Sequence, residues 1–313
     1  MANLDLSVII PTKNNKAKTA FVIKMLSEKY TDINMEFIII DINSKDGGVL
    51  DALNMLKERH LNGCVIQSGS GTVSSALNTG INKANGKYVT FVYPTRLYKD
   101  YISDYIRIAE EKGAEFIFAV PEDDGDTNYI IPDGIKGTDI AVSLIRSSIV
   151  MDFTAVMFNR EFLVRNHIRF DDDCTLGYAE AFIFNALMYD PVIAHADIEL
   201  ERDYDNSLNK NINSGVTNNC FERLDAMVKV SETVRSCHKN DSVLIDAFEY
   251  QKLPSVLMGC VDRLLEEGFG HTAIKKIVRN KSYDRYLNTS GSTSSELTKK
   301  IMVWKYLPWL YRP

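Results

Sequence analysis

Apolar and polar positions alternate in blocks along the first 120 residues, and the blocks change period as they go. Leu6 to Pro11 (LSVIIP), Phe37 to Asp41 (FIIID), Cys64 to Gln67, Tyr88 to Tyr93 (YVTFVY) and Glu115 to Val120 (EFIFAV) are short, largely β-branched or aromatic runs. Such runs predict strands. Between them lie amphipathic stretches: 17–30, with Phe21, Met25 and Leu26 at helical spacing; 47–59, with Leu50, Leu53 and Leu56; then 73–84 and about 99–112. Strands alternating with helices of this length predict βαβ units and a parallel sheet. Ligands of such sheets sit beyond the carboxyl ends of the strands, at the topological switch point. That rule nominates residues 11–15, 41–48, 67–72 and 93–96, all polar or glycine-bearing.

After about residue 121 the period changes. Loop-like sequence precedes a short helix near 139–146, a strand from Asp152 to Phe158, a helix at 177–189 and an extended stretch at 192–202. Residues 206–219 are rich in Asn and Ser and read as a linker. Helical patterns follow at 221–237, 244–267, 271–279 and 295–305. The expected organisation is an α/β domain at 1–212 and a helical extension at 213–313.

Composition narrows the function. Across 313 residues, 36 Lys+Arg face 42 Asp+Glu, a formal charge of −6, with 45% hydrophobic and 25% charged residues. This is an ordinary globular balance, and its acidity argues against nucleic acid as a partner. Five dispersed cysteines without a C-x-x-C pair predict neither disulfides nor zinc, which suits a reducing compartment. The opening MANLDLSVIIPT has no signal-peptide pattern, and no run nears the roughly 20 apolar residues of a spanning helix. A cytoplasmic protein is expected.

SVIIPTKN, then FIIIDINSKDGG, then ALNTGINKANGKYVTFV, in this order and spacing, resemble the family 2 glycosyltransferases. The likeness is strong over 5–93 and weaker to about 208. It implies a GT-A fold: a Rossmann-like, mostly parallel sheet flanked by helices that binds a nucleotide sugar, most often a UDP-sugar. On that likeness Pro11, Thr12, Lys13, Asn14, Asp41, Asn43, Tyr93, Thr95 and Arg96 are the nucleotide-binding candidates. Asp41 matches the family's base-binding aspartate; the alternative is an Asx turn or a cap on the next helix. Asp46 before Gly47 reads as turn and cap, and Asn78 and Gly80 as packing residues. No G-x-G-x-x-G follows the first strand, which excludes a dinucleotide enzyme.

The chain departs from the family at three places, one of them Leu77 where the family carries the arginine of its ARN stretch. The family's two metal-binding aspartates are replaced by Tyr93 and Thr95, so the usual divalent cation, Mg²⁺ or Mn²⁺, lacks its ligands and no metal residues are assigned. The acceptor-side Glu-Asp pair aligns with Glu180 and Ala181, leaving Glu180 as the catalytic candidate. The resemblance implies sugar transfer to a hydroxyl of a glycan or lipid-linked acceptor in cell-surface polysaccharide assembly. The departures imply the alternative, a catalytically degenerate partner or scaffold of an active transferase.

Other clusters read as structural. Asp171-Asp172-Asp173 is expected to be an exposed loop, the acidic run 122–126 a solvated turn, and His195 a satisfied core histidine. Tyr204 and Ser207 resemble an acceptor-side strand end. Residues 299–312 hold both tryptophans, two tyrosines and several basic residues. They suit either the headgroup region of a membrane or a packed tail or subunit contact, in a homo- or hetero-oligomer.

Overall fold

Four of the apolar runs become adjacent parallel strands because helices between them cover the sheet. In the computed structural model, which describes residues 4–69, 71–98, 100–120, 131–198, 200, 202–204 and 220–313, β1 (Leu6–Thr12) pairs in parallel with β2 (Met35–Asp41) and β4 (Tyr88–Phe91). β2 pairs in turn with β3 (Asn62–Gln67). The helices between them are α1 (Lys16–Lys29), α2 (Gly48–Glu58) and α3 (Val73–Lys83). The sheet continues through β7 (Val156–Asn159), β6 (Phe116–Phe118) and β8 (Ile193–His195), in the order β3-β2-β1-β4-β7-β6-β8. Only β7 runs against its neighbours, so the sheet is mixed but mostly parallel.

β1 and β2 are buried along their whole length, which is why they read as unbroken apolar runs. The helices differ from the sequence reading in the face they bury. α1 buries Thr19, Val22, Ile23 and Leu26, while Phe21 is 54% exposed. α2 buries Ala52 and Leu56 and leaves Leu50 and Leu53 outside. Leu26 and Leu56 are buried as their spacing predicts, but small or β-branched side chains, which give a closer approach to the sheet, fill the rest of each face in place of Phe21, Leu50 and Leu53. Gly80 shows the same need for closeness: a Cβ there would lie 2.4 Å from Ile9 Cγ2.

The strand expected from Tyr88 to Tyr93 ends at Phe91, because Tyr93-Pro94-Thr95-Arg96 forms a tight turn closed by Arg96 N–H donating to the Tyr93 carbonyl at 3.0 Å. The chain then enters β5 (Arg96–Tyr98), an element absent from the sequence reading, which pairs antiparallel with β9 (Arg202–Tyr204), where Tyr204 was read as a strand end. α4 (Ile102–Lys112) follows, and α5 (Gly137–Ile145) sits where a helix was expected. The predicted strand from Asp152 splits. Asp152 caps a 3₁₀ turn, Phe153–Ala155, and only then does β7 begin, followed by a further unforeseen helix, α6 (Arg160–Arg165).

α7 (Tyr178–Leu187) packs against the helical part: α8 (Glu222–Cys237), α9 (Ser242–Ala247), α10 (Leu253–Glu266), α11 (His271–Asn280) and α12 (Ser295–Tyr306). A π turn, Phe248–Lys252, joins α9 to α10. Pro254 has no N–H for the Tyr250 carbonyl, and the Thr293 hydroxyl takes its place at 2.8 Å. Apolar residues of the sheet, α7 and these helices form one continuous cluster, from Ile9 to Trp304 and Tyr311. The boundary expected near 212, the run 122–126 and Ser207 lie outside the described residues. Among the described residues no helix is long and apolar enough to cross a membrane.

Candidate active site

The carboxyl ends of β1, β2 and β4 meet at the switch point of the sheet, and the sequence candidates gather there. Thr12 and Asp41 are register partners at the last positions of β1 and β2. Pro11 lies just behind them, paired with Ile40, while Lys13, Asn14 and Asn43 are exposed in the two exit loops. The loops are tied to one another. The Asn14 amide donates to Ser44 Oγ at 2.9 Å, and the Lys45 amide donates to Asn14 Oδ1 at 2.8 Å. Asn14 and Asn43 both adopt left-handed backbone, φ 51° and 54°, which asparagine tolerates better than most residues. Asp46 binds the loops to the helices behind them, accepting from Lys16 N at 2.9 Å and Gly48 N at 3.0 Å. Partial burial raises its pKa, but these N–H groups and Lys16 outweigh that and hold it below its ordinary value. Its reading as turn and cap is borne out.

Asp41 is 1% exposed. Its Oδ2 accepts from the Ser44 amide at 3.2 Å, the Asx-type contact that was one of its two readings. Its Oδ1 is buried and, among the described residues, has no hydrogen-bond partner. A carboxylate oxygen so placed carries a large desolvation cost unless something donates to it.

Across β1, Tyr93 leaves β4 and its hydroxyl lies 3.0 Å from that of Tyr178, the first residue of α7. Burial pushes both phenols above their ordinary pKa, and the charge of Arg96 acts on both in the opposite sense. Thr95 is buried, and Arg96 extends over the surface to Asp152 Oδ2 at 3.2 Å. Tyr98 donates to the same oxygen at 3.0 Å, and Thr154 N and Oγ1 both reach Asp152 Oδ1 at 2.9 Å. Asp152 was missed by the sequence reading; its signal was the Asp-x-Thr capping pattern at a strand start.

A cleft of about 730 Å³ opens beside this turn, lined among others by Arg96, Asp152, Tyr178, Glu180, Arg223 and Lys252. Glu180 stands in the first turn of α7, where the helix dipole favours a carboxylate. Arg223 of α8 grips it with Nε at 2.8 Å and Nη2 at 3.1 Å, and Lys252 of the π turn bonds Oε1. Burial raises the Glu180 pKa, but the two cations outweigh it, so the group sits below its ordinary value and is ionised. Burial lowers that of Lys252, against the pull of Glu180. Gly177, at φ +81°, lets α8 close in: a Cβ there would lie 2.8 Å from Arg223 Cγ. Ala181 occupies the next position and offers no chemistry.

A divalent cation needs several charged oxygens. The turn offers hydroxyls at 93 and 95, and among the described residues no three His, Cys, Asp or Glu side chains come together in a way that could hold a metal. The donor set at this turn does not fit Mg²⁺ or Mn²⁺. The acidic run 171–173 is spent structurally: Asp171 pairs with Lys229 and Asp172 accepts from Asn78. Asn78 also bonds both the N–H and the carbonyl of Phe170, so its packing role stands. His195 is packed on Phe118, but its Nε2 has no partner, a departure from the satisfied histidine expected; burial lowers its pKa.

Residues 7–93 match the family described as Glycosyl transferase family 2. This match bears out the resemblance over the amino-terminal strands and helices. It is 25% identical, over 71% of each chain, to the poly(ribitol-phosphate) beta-N-acetylglucosaminyltransferase TarP of Staphylococcus aureus strain N315. Its fold is that of S. aureus TarS 1–349 in complex with UDP, with a TM-score of 0.62 at 14% identity, covering 96% of this chain and 87% of that one. It is also that of the mannosyltransferase PcManGT from Pyrobaculum calidifontis in complex with GDP-Man and Mn²⁺, with a TM-score of 0.55 at 12% identity, covering 98% and 86%. The GT-A expectation is met: a mostly parallel sheet with flanking helices and a helical carboxyl-terminal part.

Proposed function

We propose that this chain transfers a sugar from a UDP-sugar to a hydroxyl of a glycan or lipid-linked acceptor, in cell-surface polysaccharide assembly at the cytoplasmic face of the membrane. The observation that carries the reading is Asp41 Oδ1, a buried carboxylate oxygen without a partner between two cross-tied loops at the switch point. The N–H of a uracil ring is the donor it lacks. The complexes of the similar fold TarS with UDP and UDP-GlcNAc support the donor class. For the acceptor, TarP is named for poly(ribitol-phosphate). A cleft bearing Arg96, Arg223 and Lys252 suits a phosphate-bearing polyol.

Glu180 faces that acceptor. Ionised and oriented by its two cations, it accepts the acceptor's O–H and takes its proton as the new C–O bond forms. A second reading, a degenerate transferase that scaffolds an active one, is favoured by Tyr93, Thr95 and Ala181. UDP release from UDP-GlcNAc and UDP-glucose, with poly(ribitol phosphate) as acceptor, separates the two. Turnover that Glu180→Gln abolishes supports transfer. Absent turnover with stable capture of a second transferase supports the scaffold.

The membrane contact is proposed on charge. Residues 271–313 hold nine of the 36 lysines and arginines but two of the 42 acidic residues, so they carry +7 while residues 1–270 carry −13. Trp304 and Tyr311 are buried, the latter bonded to Asp262, whereas Tyr306, Leu307, Trp309 and Leu310 are exposed. Part of the tail docks, and the rest presents exposed rings and leucines within a segment of net positive charge. Anionic lipid is the surface that such a face complements.

A further inference from the structure

Leaving diphosphate carries charge that a transferase must neutralise, and a metal ion is one way to do it. The turn that follows β4 offers no carboxylate for such an ion, yet it is far from featureless. Four observations converge on it. Tyr93 and Tyr178 bring two phenol hydroxyls within 3.0 Å of each other, one from the sheet and one from the start of α7. Arg96 closes the same turn by its backbone and lines the same cleft as Tyr178, and its charge acts on both phenols. Its guanidinium rests on Asp152, which two further groups, Tyr98 and Thr154, hold in place. Finally, this turn leaves the strand next to β1, one strand from Asp41, so a nucleotide whose base meets Asp41 runs its phosphates toward it.

We propose that Tyr93, Tyr178 and Arg96 form a metal-free cradle for the diphosphate of the nucleotide sugar. This rests on the nucleotide reading of Asp41. Arg96 takes the phosphate oxygens with its planar fork, a geometry that guanidinium and phosphate share. The two phenols each hold a proton, and the hydrogen bond they now make to each other is exchanged for two bonds to phosphate. On transfer, the bond from the sugar's anomeric carbon to the β-phosphate oxygen breaks, and its electron pair leaves on that oxygen. The acceptor oxygen forms the new bond to carbon and its proton goes to Glu180. The charge gathered on the β-phosphate is met by Arg96 and the two O–H donors, and no cation is needed.

Calorimetry on the full chain with uridine, UMP and UDP, each in EDTA and in Mn²⁺, tests this. In EDTA, UDP is expected to bind at least about tenfold more tightly than uridine, the scale of one charge-assisted hydrogen bond. Mn²⁺ should alter that ratio less than about twofold. Arg96→Ala should erase the ratio with the uridine affinity unchanged, and Arg96→Lys should restore part of it. The Tyr93→Phe, Tyr178→Phe double variant keeps both rings, so it guards against a mere folding defect, and it should reduce the same ratio. A UDP preference that appears only with Mn²⁺, or that survives Arg96→Ala and the double variant alike, overturns the cradle but leaves the nucleotide site standing. Failure of uridine and UDP to bind in any condition ends both.

Discussion

Arg223 grips Glu180 with two nitrogens, at 2.8 and 3.1 Å, from an element 43 residues further along the chain. The pair joins the α/β sheet to the helical part, and with Lys252 it fixes the charge state of the cleft. Glu180 has a folded pKa below its ordinary value, so its contribution to stability is fully present above the unfolded carboxyl range, near pH 4.3, and is lost as pH falls through the depressed folded value. Urea midpoints measured from pH 7 down to pH 3 should therefore fall more steeply for the native chain than for Glu180→Gln. Parallel curves would show that the pair adds nothing.

Asp41→Asn tests the nucleotide pocket without disturbing its shape. Hydrogen bonds to charged groups contribute about 1.5–3 kcal/mol, so uridine binding should weaken roughly 10- to 100-fold. Because Oδ1 is unpartnered, the melting temperature should hold or rise. A large loss of stability with unchanged uridine affinity would reduce Asp41 to its contact with Ser44.

Two glycines should respond with opposite sign. Gly80→Ala drives a methyl to within 2.4 Å of Ile9 and should cost about 1–3 kcal/mol by overpacking. Gly259 lies exposed within α10 with open space where a Cβ would stand, so Gly259→Ala should stabilise by about 0.5–1 kcal/mol. Thermal unfolding of both variants decides it.

The exposed tail predicts binding to vesicles that contain phosphatidylserine and not to pure phosphatidylcholine. Co-sedimentation should fall with salt and should be lost on joint Trp309→Ala, Leu310→Ala substitution. Vesicle-independent self-association that the same substitutions abolish would instead make the tail a contact between copies of this chain.

What the sequence revealed follows physical range. β1, β2 and β4 were legible because buried parallel strands write themselves as apolar runs, and the exit-loop candidates followed from topology alone. Asp41 could be placed; that one of its oxygens lacks a partner could not. The faces of α1 and α2 were half legible: spacing found Leu26 and Leu56 but not the small or β-branched residues beside them, because it says nothing of how closely a helix approaches. β5 was unreadable and β9 was marked only by the likeness of Tyr204 to a strand end, since Arg-Leu-Tyr and Arg-Asp-Tyr become strands only by meeting each other across about a hundred residues. Glu180 was found by resemblance, but its two cations came from 43 and 72 positions away, and no local pattern announces them. The tail was half right, because the same composition serves Trp304 inside and Trp309 outside.

The π turn gives the last consequence. A proline that cannot continue the regular helix widens one turn, and Lys252 stands at its end, one of the two grips on the cleft carboxylate. Glu180 is thereby tuned by residues 43 and 72 positions further along the chain. If the helical part shifted or were removed, the carboxyl would keep its burial but lose its counter-charges, and its proton affinity would climb. The helical part therefore sets the charge state of the cleft carboxylate, through two side chains that come from beyond α7.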